Sequence, residues 1–168
     1  MRLLPVIMSG LIITGCASQH AKPTVHGIDN FGQVAPGIYR GGQPTADGWY
    51  FLKSLGVTNV VKLNTDSEGS DPAKAFNVQS FPIPFSQQLI FEPTESNIDA
   101  AVNAITEHTF IHCTHGQDRT GLVVGEYRVR KCGWTKAQAR AEMAEYGFHP
   151  ILFGLERFWS ESEAEGSP

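Results

Sequence analysis

Residues 109–121, T-F-I-H-C-T-H-G-Q-D-R-T-G, decide how this chain is read. Thr109, Phe110 and Ile111 are β-branched or aromatic and enter the segment as a strand, while a helical pattern leaves it from about Thr120. Residues 113–119 are therefore expected to form a strand-to-helix loop. Such a loop turns its backbone N–H groups inward. Together with the positive end of the helix dipole they form a concave site for an anion, and phosphate is the expected tenant.

Each side chain then has a chemical task. Cys113 is the nucleophile, because a thiolate is favoured beside a helix N-terminus and an arginine. Arg119 offers a planar fork to two phosphate oxygens and follows them into the transition state. Gly116 permits a positive φ or a close backbone approach. Thr120 is positioned to donate its hydroxyl to the sulfur. Thr114, His115, Gln117 and Asp118 complete the loop that wraps the anion, and His112 orients it through hydrogen bonds. A metal cluster of His112, Cys113 and His115 is disfavoured, since adjacent strand residues point apart and Arg119 would repel a cation. An inert buried thiol would leave Gly116 and Arg119 unexplained. Neither metal nor cofactor is expected.

His112-Cys113, Gly116 and Arg119-Thr120-Gly121 resemble the H-C-x-x-G-x-x-R-[ST]-G loop of the cysteine-dependent protein tyrosine and dual-specificity phosphatases. Tyr39-Arg40-x-x-Gln43-Pro44 resembles the opening of compact bacterial and atypical members. Gly133-Trp134, Ala139, Glu142-Met143 and Gly147-Phe148 resemble periplasmic members from Gram-negative bacteria. The resemblance covers roughly residues 37–148. It implies a phosphotyrosine protein phosphatase-like fold and hydrolysis of phosphate monoesters through a phosphocysteine. The substrates implied are phosphotyrosine, with phosphoserine and phosphothreonine also open, on a protein or a small ester.

One departure matters. Family members commonly supply a general-acid Asp just after the strand that ends here near Ile83, whereas this chain has Phe85, Ser86, Gln87 and Gln88. Asp118 is the first substitute, because an Asp-Arg-Thr loop ending resembles that of some lipid phosphatases. Glu92 is the second, as a residue on a segment that swings in as a lid. Glu95 and Asp99 are better read as first-turn dipole partners of the following helix. The missing acid also admits a non-catalytic phosphate-binding module. A phosphoinositide, an inositol phosphate or another non-protein phosphate is a further alternative, weakened by the absence of Lys from residues 114–118. The loop also resembles that of RNA 5′-triphosphatases.

Around this core the chain reads as alternating strands and helices. A short strand over residues 36–40 and a Gly41-Gly42-Gln43-Pro44 turn lead to a helix capped by Thr45 and ended by Gly56. Strands over 57–63 and 77–83 follow, separated by a polar loop over 65–74 that reads as surface. Thr94 caps a helix to about Glu107, with Ile98, Ala101, Val102 and Ile105 inward. After the loop come an apolar helix to Cys132, an alanine-rich helix from Thr135 to Tyr146 with Gln138 completing a capping box, and a last helix over 151–159. Arg128 and Arg130 are expected to point outward or line the site's mouth, Cys132 to be a buried helix-end residue, and Arg40 either to brace the loop or to make a surface ion pair. The alternation indicates one α/β domain with a mainly parallel central sheet flanked by helices.

The 168 residues leave no room for a second domain, and 41% hydrophobic with 18% charged residues suits a globular chain rather than a disordered one. Residues 1–15 read as a signal peptide: Arg2, then an apolar run too short to span a membrane. Ile13-Thr14-Gly15-Cys16 resembles the bacterial lipoprotein box, which implies lipid on Cys16. An ordinary cleaved signal or a buried N-terminal helix are the alternatives. Ala17 resembles the pattern that sends lipoproteins to the outer membrane. Residues 16–35 are expected to be a lipid-anchored linker, 36–160 the catalytic domain and 161–168 a loose tail. Without residues 1–15 the chain carries 12 basic and 17 acidic side chains, a net −5. That balance argues against nucleic acid, RNA included, and leaves membrane contact to the lipid alone, on the periplasmic side. A bond between Cys113 and Cys132 is opposed by about 18 Å of intervening helix.

Overall fold

The computed structural model describes residues 22–69, 71–83 and 92–162. Cys16, the signal segment and residues 84–91, where the general-acid loop was sought, lie outside them. Strands β1 (Gly32–Ala35), β2 (Ile38–Gly41), β3 (Asn59–Lys62), β4 (Asn77–Ser80) and β5 (Thr109–His112) form one sheet in the order β1-β2-β5-β3-β4. Only the β1–β2 pair is antiparallel; β5 lies parallel to both β2 and β3.

Both faces of this sheet are covered, which is why its central strands alternate little in hydrophobicity. Val60 and Phe110 face helix α1 (Ala46–Ser54), packing with Ile28, Trp49, Leu52 and Ala73. Val61 and Ile111 face the opposite layer. That layer is built from α2 (Glu95–Asn103), α3 (Asp118–Cys132), α4 (Lys136–Glu145) and α5 (Phe153–Glu161). β5 is buried at all four residues and sits between β2 and β3, so its carboxyl end opens where consecutive connections leave on opposite faces. This is where doubly wound sheets hold ligands.

The caps were legible. Thr45, Thr94 and Thr135 each accept a first-turn N–H, Thr135 and Gln138 form the capping box, and Gly133 ends α3 with φ +70°. Four expectations are corrected. The linker does not extend to residue 35: Ile28 and Asn30 are buried, Val25 bridges Ile28, and β1 pairs with β2. The stretch lacks periodicity because only single residues of successive turns reach inward. Arg128 is buried, forked onto Glu142 at 2.7 and 3.0 Å and stacked on Trp134, because α4 packs over it. Arg130 joins α3 to α2, bonding Glu126 and Glu95 at 2.7 Å and also Asp99, so neither arginine lines the site's mouth. Cys132 is exposed at the last turn of α3. The last helix starts at Phe153 and runs to Glu161 because Lys136 Nζ binds the carbonyls of Trp159 and Ser162.

Candidate active site

The turn from β5 into α3 holds Cys113. Cys113 is 3% exposed, and its Sγ accepts the N–H of Gly116 at 3.3 Å, so the loop curls back over the sulfur within three residues. Gly116 has φ +71°, and a β-carbon there would lie 2.3 Å from Gly41 C and 2.5 Å from Gly42 N. Only glycine lets the loop lean on the end of β2. Among the described residues, the N–H groups of Thr114, His115 and Gln117 are committed to no acceptor, and Gln117 gives α3 no side-chain cap. These donors remain available to an anion.

The carbonyls of the loop are tied down from outside. Gly116 O accepts Asn30 Nδ2 at 2.9 Å and Arg40 Nη2 at 3.2 Å, and Thr114 O accepts Gln43 N at 3.0 Å. These bonds to Gly116 O and Thr114 O hold the loop against Asn30, Arg40 and Gln43. Arg40 is therefore a loop brace and not a surface ion pair. It is wholly buried and stacks at 3.9 Å on the Tyr146 ring. Burial pulls its pKa down to about 10, against the opposing fields of Glu142, Tyr146 and Cys113, so it remains a cation at neutral pH.

Arg119, second residue of α3, donates from Nη2 to Thr114 Oγ1 at 3.0 Å, which sets the guanidinium over the loop. Thr120 is buried in the same turn. The expected hydroxyl–sulfur bond is not made: Oγ1 has no hydrogen-bond partner among the described residues, and the sulfur takes the Gly116 N–H instead. His115 is exposed at the loop tip. Gln117 gives the αR turn that opens α3.

His112 supports the loop as a buried neutral ring. Its Nδ1 lies 3.3 Å from Cys113 O, its Nε2 3.6 Å from Glu68, and it stacks on Phe110. Burial pushes its pKa down to about 4, outweighing the pull of Glu68. Above about pH 6.5 folded and unfolded chains both carry it neutral. Between there and pH 4 only the unfolded chain takes the proton, so stability falls with pH by up to about 3 kcal/mol. Urea midpoints at neutral and mildly acid pH are expected to show this slope, and His112→Asn to flatten it.

The two candidate acids are placed differently. Asp118 opens α3, and its Oδ1 accepts the backbone N–H of His149 at 2.8 Å, with His149 Nδ1 3.0 Å away. Glu92 Oε2 lies 3.8 Å from Arg157 Nε, in a cavity lined by Pro93, Glu95, Arg130 and Phe158 that no residue of 113–119 lines.

The loop after β3 is largely exposed, as its polar composition suggests, yet it also brings to the site polar groups that sequence reasoning missed. Asp66 Oδ2 accepts from Thr114 Oγ1 and Asn64 Nδ2, both at 2.9 Å. Glu68 receives Lys62 at 2.9 Å and Gln43 at 2.6 Å beneath His112. Asp66 lies 48 residues from Thr114, and Glu68 follows β3 whereas His112 ends β5, so no local pattern announces these contacts.

Comparison with known proteins agrees with this geometry. The inositol diphosphatase DSP2 of Oryza sativa subsp. japonica is 32% identical over 105 residues, covering 57% of this chain and 52% of that protein. The dual specificity protein phosphatase TpbA of Pseudomonas aeruginosa is 28% identical over 121 residues, covering 71% and 55%. The chain thus spans about half the length of these curated relatives. Among solved structures, P. aeruginosa TpbA superposes with a TM-score of 0.63 at 24% identity, covering 88% of this chain and 91% of that one. The core catalytic domain of the PP-IP phosphatase SIW14 from S. cerevisiae gives 0.64 at 16%, covering 80% and 86%. At these identities the superpositions speak to the fold. The match of the tyrosine phosphatase family profile to residues 27–158 takes in the cysteine, the glycine that shields it and the arginine of the next turn. The chain belongs to the tyrosine phosphatase family.

Proposed function

We propose that this protein hydrolyses phosphate monoesters, phosphotyrosine first among them, through a covalent phosphocysteine. The observation that carries the reading is the buried Cys113 sulfur under the Gly116 N–H, in a loop whose amides at Thr114, His115 and Gln117 are uncommitted among the described residues and whose Thr114 holds the Arg119 guanidinium. Cys113 Sγ attacks phosphorus in line, the P–O bond to the alcohol or phenol breaks, and that oxygen leaves with a proton from an acid. The equatorial oxygens stay on the loop amides and Arg119. Water then attacks the phosphocysteine, and phosphate leaves as the thiolate returns. TpbA is a dual-specificity phosphatase by name, which supports protein substrates. DSP2 is named an inositol diphosphatase and SIW14 a PP-IP phosphatase, which keeps a non-protein phosphate as the second reading.

Asp118 is the proposed acid. It stands one residue from Arg119 at the head of α3, and His149 fixes its Oδ1. If Asp118 protonates the leaving oxygen, Asp118→Asn should slow alkyl phosphates by roughly 10²-fold while sparing nitrophenyl esters, whose leaving group needs no proton. Glu92→Gln should leave both alike. A loss confined to Glu92→Gln would move the acid to Glu92. The full chain should release phosphate from p-nitrophenyl phosphate and a phosphotyrosyl peptide; binding of the peptide without turnover would make it a non-catalytic phosphate reader.

The N-terminal segment leads us to propose further that Cys16 carries lipid and holds the domain on the periplasmic side of a bacterial membrane. Among the described residues no helix is long and apolar enough to cross a membrane. Mass spectrometry of the mature N-terminus tests this, with an unmodified Cys16 as the contrary result.

A further inference from the structure

We propose that the Asp66 carboxylate is a specificity-determining group: fixed beside Thr114 and Arg119, it admits substrates with one phosphate and turns away those carrying a second phosphate next to the scissile one. The inference rests on the phosphatase reading above and names a substrate class within it. Asp66 Oδ2 accepts from Thr114 Oγ1 and from Asn64 Nδ2, both at 2.9 Å. Thr114 Oγ1 in turn accepts Arg119 Nη2 at 3.0 Å. The carboxylate is thus two hydrogen bonds from the guanidinium that meets the substrate.

The arrangement is built rather than incidental. Asn64 is buried, and its Nδ2 also reaches Gln43 Oε1 at 3.1 Å, while Lys62 Nζ binds the main-chain oxygen of Asp66. Asp66 is nonetheless exposed, so its charge faces the solvent from which a substrate arrives. The bonds from Asn64 and Thr114, with the field of Arg119, hold it below the usual carboxylate range, and it is ionised at working pH. The neighbouring Glu68 pairs directly with Lys62 at 2.9 Å, whereas Lys62 touches Asp66 at its main-chain oxygen and acts on its carboxylate only as a weaker field.

Consider then what each substrate meets. One phosphate fills the ring of amides and engages Arg119, with Arg40 beneath the loop as a second cation. A further phosphate on the same ligand lies outside that ring, and one reaching past Thr114 meets the exposed Asp66 carboxylate, two hydrogen bonds from Arg119. A phosphate brought within a Debye length of that carboxylate, about 8 Å at physiological salt, is repelled by it. Discrimination of this kind works by a penalty against the wrong ligand, not by an added contact to the right one.

The test measures kcat/KM of the full chain on p-nitrophenyl phosphate and on a diphosphoinositol polyphosphate. Asp66→Asn is expected to raise the polyphosphate-to-monoester ratio about tenfold, Asp66→Lys to raise it further, and Asp66→Glu to keep the wild-type ratio. The salt response of that ratio should be smaller in Asp66→Asn than in the wild type, because every other charge of the chain is common to the two proteins. A ratio that stays within about twofold in both Asn and Lys variants, or a salt response that is the same in Asp66→Asn and wild type, overturns the role of Asp66. Wild-type protein inactive on both substrates would instead overturn the phosphatase reading itself.

Discussion

Replacing Cys113 by Ser is expected to lower turnover of an aryl phosphate by at least about 10³-fold while changing the affinity for inorganic phosphate by no more than about threefold. The two halves of this expectation come from different atoms. In the proposed mechanism turnover depends on the sulfur, which forms and breaks the bond to phosphorus. A serine hydroxyl in its place stays protonated at neutral pH and is a far weaker attacker. Phosphate affinity depends on the loop amides and Arg119, whose positions are fixed by Asn30, Arg40, Gln43 and Thr114; the one bond Cys113 adds, from the Gly116 N–H, a serine oxygen can also accept. Steady-state kinetics and calorimetric phosphate titration of the two proteins read both quantities. A serine variant that turns over at a comparable rate would remove the nucleophile from the mechanism.

Arg119→Ala carries the second large effect, a fall in kcat/KM of about 10³-fold expressed in both kcat and KM. The guanidinium contacts the anion in the ground state and more strongly as charge spreads over the equatorial oxygens, so both constants move. Arg119→Lys should recover only a small part. An ammonium supplies charge, but it lacks the planar fork and cannot keep the 3.0 Å bond to Thr114 while meeting two phosphate oxygens. A lysine variant with near wild-type kcat/KM would mean that charge alone, not geometry, is what the site uses. The catalytic loop also holds His112, whose burial ties the acid stability of the fold to the same few residues.

What could be read in the sequence is what is local. The strand into residues 113–117, the helix beyond, the Thr45, Thr94 and Thr135 caps and the Gly133 stop each follow from a handful of neighbouring residues, and the parallel sheet follows from their alternation. The parts of the site supplied from a distance were not legible. Asn30 lies in a stretch that looked like a spacer, because one buried amide among solvated turn residues leaves no periodic signal. Asp66 and Glu68 sat in a polar run that any exposed loop would show, and only the folded register of β3 beside β5 brings them to Thr114 and His112. Arg128 and Arg130 carry charge, which suggests solvent, yet their partners Glu142, Glu95 and Asp99 lie on other helices. The brace made by Arg40 was half visible: its place before the Gly-Gly turn suggested a role, and its complete burial settled which.

The central claim concerns a bond between sulfur and phosphorus, and trapping that bond tests it most directly. The full chain is mixed with a labelled aryl phosphate, quenched within a turnover, digested and mapped. The account predicts one phosphoryl group on the peptide that carries Cys113, absent from the Cys113→Ser protein and discharged by water when the reaction is left to run. Label on His112, His115 or any other side chain, or steady release of phosphate with no labelled peptide at any time, would contradict it.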